Sequence, residues 1–147
     1  MPVTTLIEYE AASPEVRAVY DDIMATRKTD WLNNFWKALA NHPPTLRRTW
    51  ESIKQIMGPG VLDPLTKEMV YLAVSAANGC DYCIASHTAG ARRAGMSEAM
   101  RGELLAVVGM ACETNSLANA ATVGTNVPAG TNNETLLADP TKRVKTK

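Results

Sequence analysis

The residues able to do chemistry crowd into one segment of this 147-residue chain, from Glu68 to His87. Cys80 and Cys83 form a C-x-x-C pair, His87 follows four residues later, and Glu68 stands twelve residues before Cys80. Residues three apart on a helix share a face, so two such thiols can bridge with little backbone change. A helix start adds free amides and the positive end of the dipole, which favour thiolate over thiol. His87 lies one turn beyond Cys83 on that face. It can take the Cys83 proton and hold the resulting anion, a nucleophile and base whose spacing a helix fixes. Glu68 belongs to the preceding helix. In an antiparallel hairpin turning near Gly79-Cys80, it lies one turn, about 5.4 Å of rise, beyond the level of His87. A buried carboxylate needs a partner, and His87 or Cys83 is the obvious one.

Each of these residues has a structural reading of its own: inert buried thiols, a satisfied core histidine, an edge glutamate. Set together in one hairpin, they point to thiol redox chemistry. Metal binding is the main chemical competitor. Cys80, Cys83 and His87 offer three ligands, with Cys112 or His42 as a fourth, but structural zinc sites pair two short ligand motifs and a second motif is missing. The reading therefore calls for no metal, flavin or haem. Cys112, in the apolar run VVGMAC, is expected to be a buried spectator thiol. His42, in NHPP, is expected to end a helix.

The elements that must position these groups all read as helices. Ser13-Pro14 starts the first, whose Val16, Val19, Tyr20, Ile23 and Met24 fall on one face. A short second helix carries Phe35, Trp36, Leu39 and Ala40 and stops near His42-Pro43-Pro44. A third repeats Leu46, Trp50, Ile53 and Met57 before Gly58-Pro59-Gly60. Asp63-Pro64 opens the fourth, which runs to Asn78-Gly79. From Met69 to Ala77 it is apolar nearly all round apart from Ser75, as in a helix surrounded by protein at the centre of a fold or in a subunit interface. A fifth helix begins around Cys80-Asp81 and stops at Gly95. Ser97 caps a sixth with Met100, Leu104, Val108 and Ala111 down one side. A weaker seventh segment follows over about 116–123. No stretch alternates as a strand would. The expected fold class is all-α, with six to seven helices and the C-x-x-C at the start of a central one.

Composition narrows the function classes. Lys+Arg 15 against Asp+Glu 15 leaves no net charge, which argues against a nucleic-acid binder with a basic field. No apolar run reaches about 18 residues, so no membrane partner is expected. The start, MPVTTLIEYE, lacks the pattern of a secretory signal, and three cysteines cannot all pair within one chain. The expected compartment is the cytoplasm, where clustered cysteines suggest redox work or a metal. A helical domain is expected over 1–127. The segment 128–147, broken by Pro128, Gly130, Asn132, Asn133 and Pro140, reads as a polar, slightly basic tail.

The pattern E-x11-C-x2-C-x3-H, introduced by LTKEMVYLAVSAANGC and followed by TAGARRAG, resembles the carboxymuconolactone decarboxylase superfamily, and within it the alkylhydroperoxidase D-like branch. The upstream FWKALANHPPTLRRTWESIKQIM is similar to that family's earlier helices, so the resemblance spans about residues 31–127. It implies an alkylhydroperoxidase D-like helical domain assembled as a homo-trimer or hexamer. It also implies a thiol-dependent peroxidase acting on a hydroperoxide and recharged by a dithiol or thioredoxin-like reductant. Carried over by position, Cys83 matches the cysteine that attacks peroxide, Cys80 the cysteine that resolves the product into a disulfide, and His87 with Glu68 the proton relay. The best-known members place a second histidine just before the second cysteine, where this chain has Tyr82. A tyrosine is a possible auxiliary proton donor but a poor base at neutral pH. Two other readings use the same residues: a thiol–disulfide oxidoreductase or redox sensor without peroxide turnover, and a carboxymuconolactone decarboxylase-like enzyme with His87 or Glu68 as acid or base.

Overall fold

The computed structural model describes residues 4–121. Over these the chain is all-helical. After a short 3-10 turn at Tyr9–Ala11 come α1 (Pro14–Arg27), α2 (Asn34–Leu39), α3 (Pro43–Met57), α4 (Pro64–Ala77), α5 (Asp81–Arg93) and α6 (Glu98–Ala120). The helix starts follow from their caps. Ser13 accepts the Val16 amide, Asp63 accepts the Thr66 amide at 2.9 Å, and Ser97 accepts the Met100 amide at 3.1 Å. Each satisfies a donor that the first turn leaves orphaned. His42 does not end a helix as expected: α2 stops at Leu39 with Ala40 as its C-cap, and His42 instead begins α3, its ring accepting the Thr45 amide.

Two cores form. The larger joins α1, α2 and α3 through Val16, Val19, Tyr20, Ile23, Trp36, Leu46 and Trp50. The Trp36 and Trp50 rings meet edge to face, 5.5 Å between centroids, an arrangement the ring quadrupoles favour. Tyr20 is wholly buried and its hydroxyl donates to the Ile7 carbonyl at 2.8 Å. Burial pushes the Tyr20 phenol up to about 12. The Trp50 indole N–H donates to Asp22 at 2.6 Å, and Lys54 binds the same carboxylate oxygen. The smaller core joins α4, α5 and α6 around Leu72, Ala91 and Met96.

Among the described residues, α4 is covered on one side only. Leu72 and Ser75 are buried there, while Val70 and Val74 remain more than half exposed. α6 buries no residue fully, and Val107, Met110 and Leu117 stand out from it. Two sequence expectations change here. Cys112 is exposed, not a buried spectator, because among the described residues nothing packs over this stretch of α6, beyond the Met100 and Leu104 that reach the smaller core. The separate seventh segment is instead the end of α6, which runs unbroken through Ala120; Thr114 and Ser116 hydroxyls donate to carbonyls one turn back and leave the helix intact. The polar tail over 128–147 lies outside the described residues. Among the described residues no helix is long and apolar enough to cross a membrane.

Leu46, fully buried in the larger core, sets a test of this packing. Leu46→Ala is expected to cost about 2–5 kcal/mol of unfolding free energy, read as a fall in the urea midpoint. A loss below about 1 kcal/mol would mean that the site collapses around the missing side chain.

Candidate active site

The hairpin between α4 and α5 builds the site. Gly79 takes a left-handed φ of 65°, which lets the backbone close two C-terminal bonds. The Gly79 amide reaches the Ala76 carbonyl at 3.2 Å, and the Cys80 amide reaches the Ser75 carbonyl at 3.0 Å. This glycine-dependent turn ends α4 and delivers Cys80 directly to the N-cap of α5. Its sulfur accepts the Cys83 amide at 3.3 Å. Cys80 and Cys83 are joined in a disulfide, with their Cα atoms 5.3 Å apart. Both sulfurs therefore sit at the positive end of the α5 dipole, where a thiolate released by reduction is stabilised.

The register set by that turn puts Tyr71 opposite His87 and Glu68 one turn further along, from where its side chain reaches back to His87. His87 Nδ1 and Glu68 Oε2 lie 2.7 Å apart, with about four-fifths of each side chain shielded from water. A neutral imidazole bound to a carboxylate through Nδ1 carries its proton there and leaves Nε2 as the acceptor. A base so oriented, one turn from Cys83 on the same helix, is a competent partner for a thiol.

Two further residues fix this pair, and the sequence reading passed over both. Tyr71 stacks on the His87 ring at 3.6 Å between centroids and 18° between planes. Gly90 underlies Glu68: a Cβ on residue 90 would fall 2.5 Å from Glu68 Oε2. The carboxylate thus lies against the bare backbone of α5. Spacing offered a signal for each, since Tyr71 follows Glu68 by three residues and Gly90 follows His87 by three, on the faces that the hairpin turns toward each other.

Tyr82, adjacent to Cys83, packs toward the other half of the molecule. Its ring lies 6.2 Å from that of Phe35. Burial raises its phenol above the ordinary value, against the opposing pull of the Phe35 backbone and Arg27. Cys112 and His42 are held elsewhere, on the exposed α6 and at the α3 cap. Among the described residues, no three His, Cys, Asp or Glu side chains converge as a metal site.

A cavity of about 560 Å³ opens beside the pair, between the two cores. Glu68, His87 and Gly90 form one wall and Trp36 and Trp50 another. No local signal in the sequence links these walls, because they come from helices that meet only in the folded chain.

Comparison with known proteins places this hairpin in a lineage. The family model described as the carboxymuconolactone decarboxylase family matches residues 43–125. The chain belongs to the carboxymuconolactone decarboxylase family. Within that family its likeness is to the alkylhydroperoxidase D-like branch. The chain is 37% identical over 106 residues to alkyl hydroperoxide reductase AhpD of Azorhizobium caulinodans, a match that takes in 66% of this chain and 55% of that protein. The chain thus spans about half the length of this curated relative. It also superposes on the crystal structure of the alkylhydroperoxidase AhpD core from Rhodospirillum rubrum. That likeness has a TM-score of 0.81 and 48% identity, covering 95% of this chain and 99% of the other. Both relatives are named for alkyl hydroperoxide chemistry, and the all-helical, alkylhydroperoxidase D-like fold expected from the sequence is the one observed.

Gly90→Ala tests how tightly the carboxylate is placed. Alanine gains about 1 kcal/mol of intrinsic helix propensity over glycine, so α5 should persist. The methyl group should nevertheless push Glu68 off His87, and a crystal structure of the variant should show that contact lengthened. An unmoved carboxylate would mean that α4 and α5 separate to admit the methyl group.

Proposed function

We propose that this chain is a thiol-dependent peroxidase that reduces hydroperoxides through Cys83 and Cys80, with His87 and Glu68 moving the protons. The observation that carries the reading is a bonded C-x-x-C at the α5 N-terminus, one turn from a histidine that Glu68 holds through Nδ1. The names of the two relatives support the substrate class.

In the reduced protein His87 Nε2 takes the Cys83 proton. The thiolate attacks the outer oxygen of a hydroperoxide: an S–O bond forms, the O–O bond breaks, and the departing alkoxide takes the proton back from the imidazolium as it leaves as alcohol. Cys83 is then a sulfenic acid. Cys80 attacks its sulfur, so that the S–S bond forms, the S–O bond breaks and water leaves. Two electrons and two protons from an external dithiol return both cysteines to thiols. Glu68 stabilises the imidazolium at the moment it forms, and Tyr71 holds the ring plane. No metal, flavin or haem enters any step.

A second reading keeps the cysteines and drops the peroxide: thiol–disulfide exchange or redox sensing. The packing of Tyr82 against Phe35 favours it, because that residue is turned toward the other core at the position where the best-known relatives carry a histidine.

The chain is also proposed to act as a homo-oligomer, the trimer or hexamer implied by the resemblance. The support is physical: the exposed Val70 and Val74 of α4 and Val107 and Met110 of α6 form apolar faces that a second copy would cover.

Cys83→Ser should abolish hydroperoxide consumption with a dithiol donor. Cys80→Ser should permit one turnover and leave a sulfenic acid that dimedone traps. In the parent, peroxide should consume the thiols of Cys80 and Cys83 and leave Cys112 free on peptide mapping. Peroxide turnover surviving in Cys83→Ser would sink the assignment, and disulfide exchange without any peroxide turnover would select the second reading. For the assembly, sedimentation should show the parent larger than a monomer and Val74→Glu shifted to monomer; a monomeric parent would end the proposal.

A further inference from the structure

The cavity beside His87 is cationic, although the chain as a whole is neutral. Arg27, Lys28, Lys54 and Arg93 line it, against the single carboxylate of Glu68. That carboxylate is engaged by His87, and Lys54 is paired with Asp22 outside the wall. Arg27 and Arg93 make no ion pair among the described residues.

Arg27 is held in place without an anion. Its guanidinium lies over the Trp36 ring at 5.3 Å and over the Trp50 ring at 5.5 Å, a double cation–π seat. The group reaches the water of the cavity, yet protein crowds it enough that desolvation lowers its pKa; Tyr82 and Glu68 pull the other way, and the nearby charge of Arg93 adds to the lowering. An arginine remains charged under such a shift. Both guanidiniums are exposed at the cavity and neither is tied up in an ion pair among the described residues, so both are free to bind an anionic ligand.

The same helix carries this charge and the reactive sulfur. Ser86, His87, Gly90 and Arg93 all line the cavity and follow one another along one stripe of α5. Cys83 is the next position of that stripe toward the N-terminus, and about 15 Å of helix rise separates residues 83 and 93. Between the two ends the facing wall is apolar, with Ile23, Trp36 and Trp50.

We propose that this cavity takes an organic hydroperoxide bearing a carboxylate, the acid group lying between Arg27 and Arg93 and the peroxide reaching Cys83. The inference rests on the peroxidase reading and names its substrate class. The balance is unchanged by the anchor: the hydroperoxide and two protein thiols give the alcohol acid, water and the Cys80–Cys83 disulfide.

Steady-state rates on a medium-chain hydroperoxy acid and on its methyl ester test the proposal. The parent is expected to favour the acid about tenfold to hundredfold in kcat/KM. Arg27→Met and Arg93→Met should each pull that ratio toward one, and Arg27→Lys should restore part of it. A parent ratio near one, or an Arg27→Met variant that loses acid and ester alike, overturns the proposal. Octanoate titrated against methyl octanoate, followed by the fluorescence of the cavity's tryptophans Trp31, Trp36 and Trp50, needs no turnover. Saturable octanoate binding that both Met variants lose, with no hydroperoxide consumed, would uphold the anion site and sink the peroxidase reading. Peroxide turnover with neither acid preference nor octanoate binding would do the reverse.

Discussion

Gly79 sets the register of α4 against α5, and the 2.7 Å contact between Glu68 and His87 follows from that register. Only a left-handed residue lets one helix stop and the next begin with Cys80 already at its cap. The same turn therefore places the disulfide at the positive end of α5 and His87 one turn beyond Cys83 along it. A side chain at residue 90 would push the carboxylate out, so the bare backbone of Gly90 is part of the same constraint. The contact between Glu68 and His87 depends on two glycines as much as on the two residues that make it.

The two cores divide the work unequally. The larger core is closed within the chain by two tryptophans, a buried tyrosine and a paired Asp22. It gives the cavity one firm wall and holds Arg27 by its aromatic faces. The smaller core has three fully buried residues and leaves apolar stripes of α4 and α6 facing outward. The half that carries the cysteines is thus the half with least cover among the described residues, and its Glu68 and His87 line the cavity between the cores.

Much of the architecture was legible because local rules governed it. Ser13, Asp63 and Ser97 sit where caps belong, prolines follow two of them, and the fifth helix starts at the cysteines as its spacing required. Cys112 misled for a reason of equal generality. An apolar run shows that a helix face should be covered, but not that the covering element belongs to the same chain. The break expected near Ser116 failed on similar grounds: small polar residues lower helix propensity, yet their hydroxyls bonded to carbonyls within α6, which continued.

The sequence alone determined the helices, the caps and the spacing of Cys80, Cys83 and His87, because each depends on residues within a turn or two of one another. It also determined the approximate level of Glu68, since a short hairpin leaves little freedom of register. Tertiary structure decided the rest. Arg27 on α1, Trp36 on α2, Trp50 on α3 and Arg93 on α5 have no common period or motif, and only the packing of the two cores brings them round one cavity. A count of charges gave zero; the fold separated those charges and left the cavity beside His87 positive.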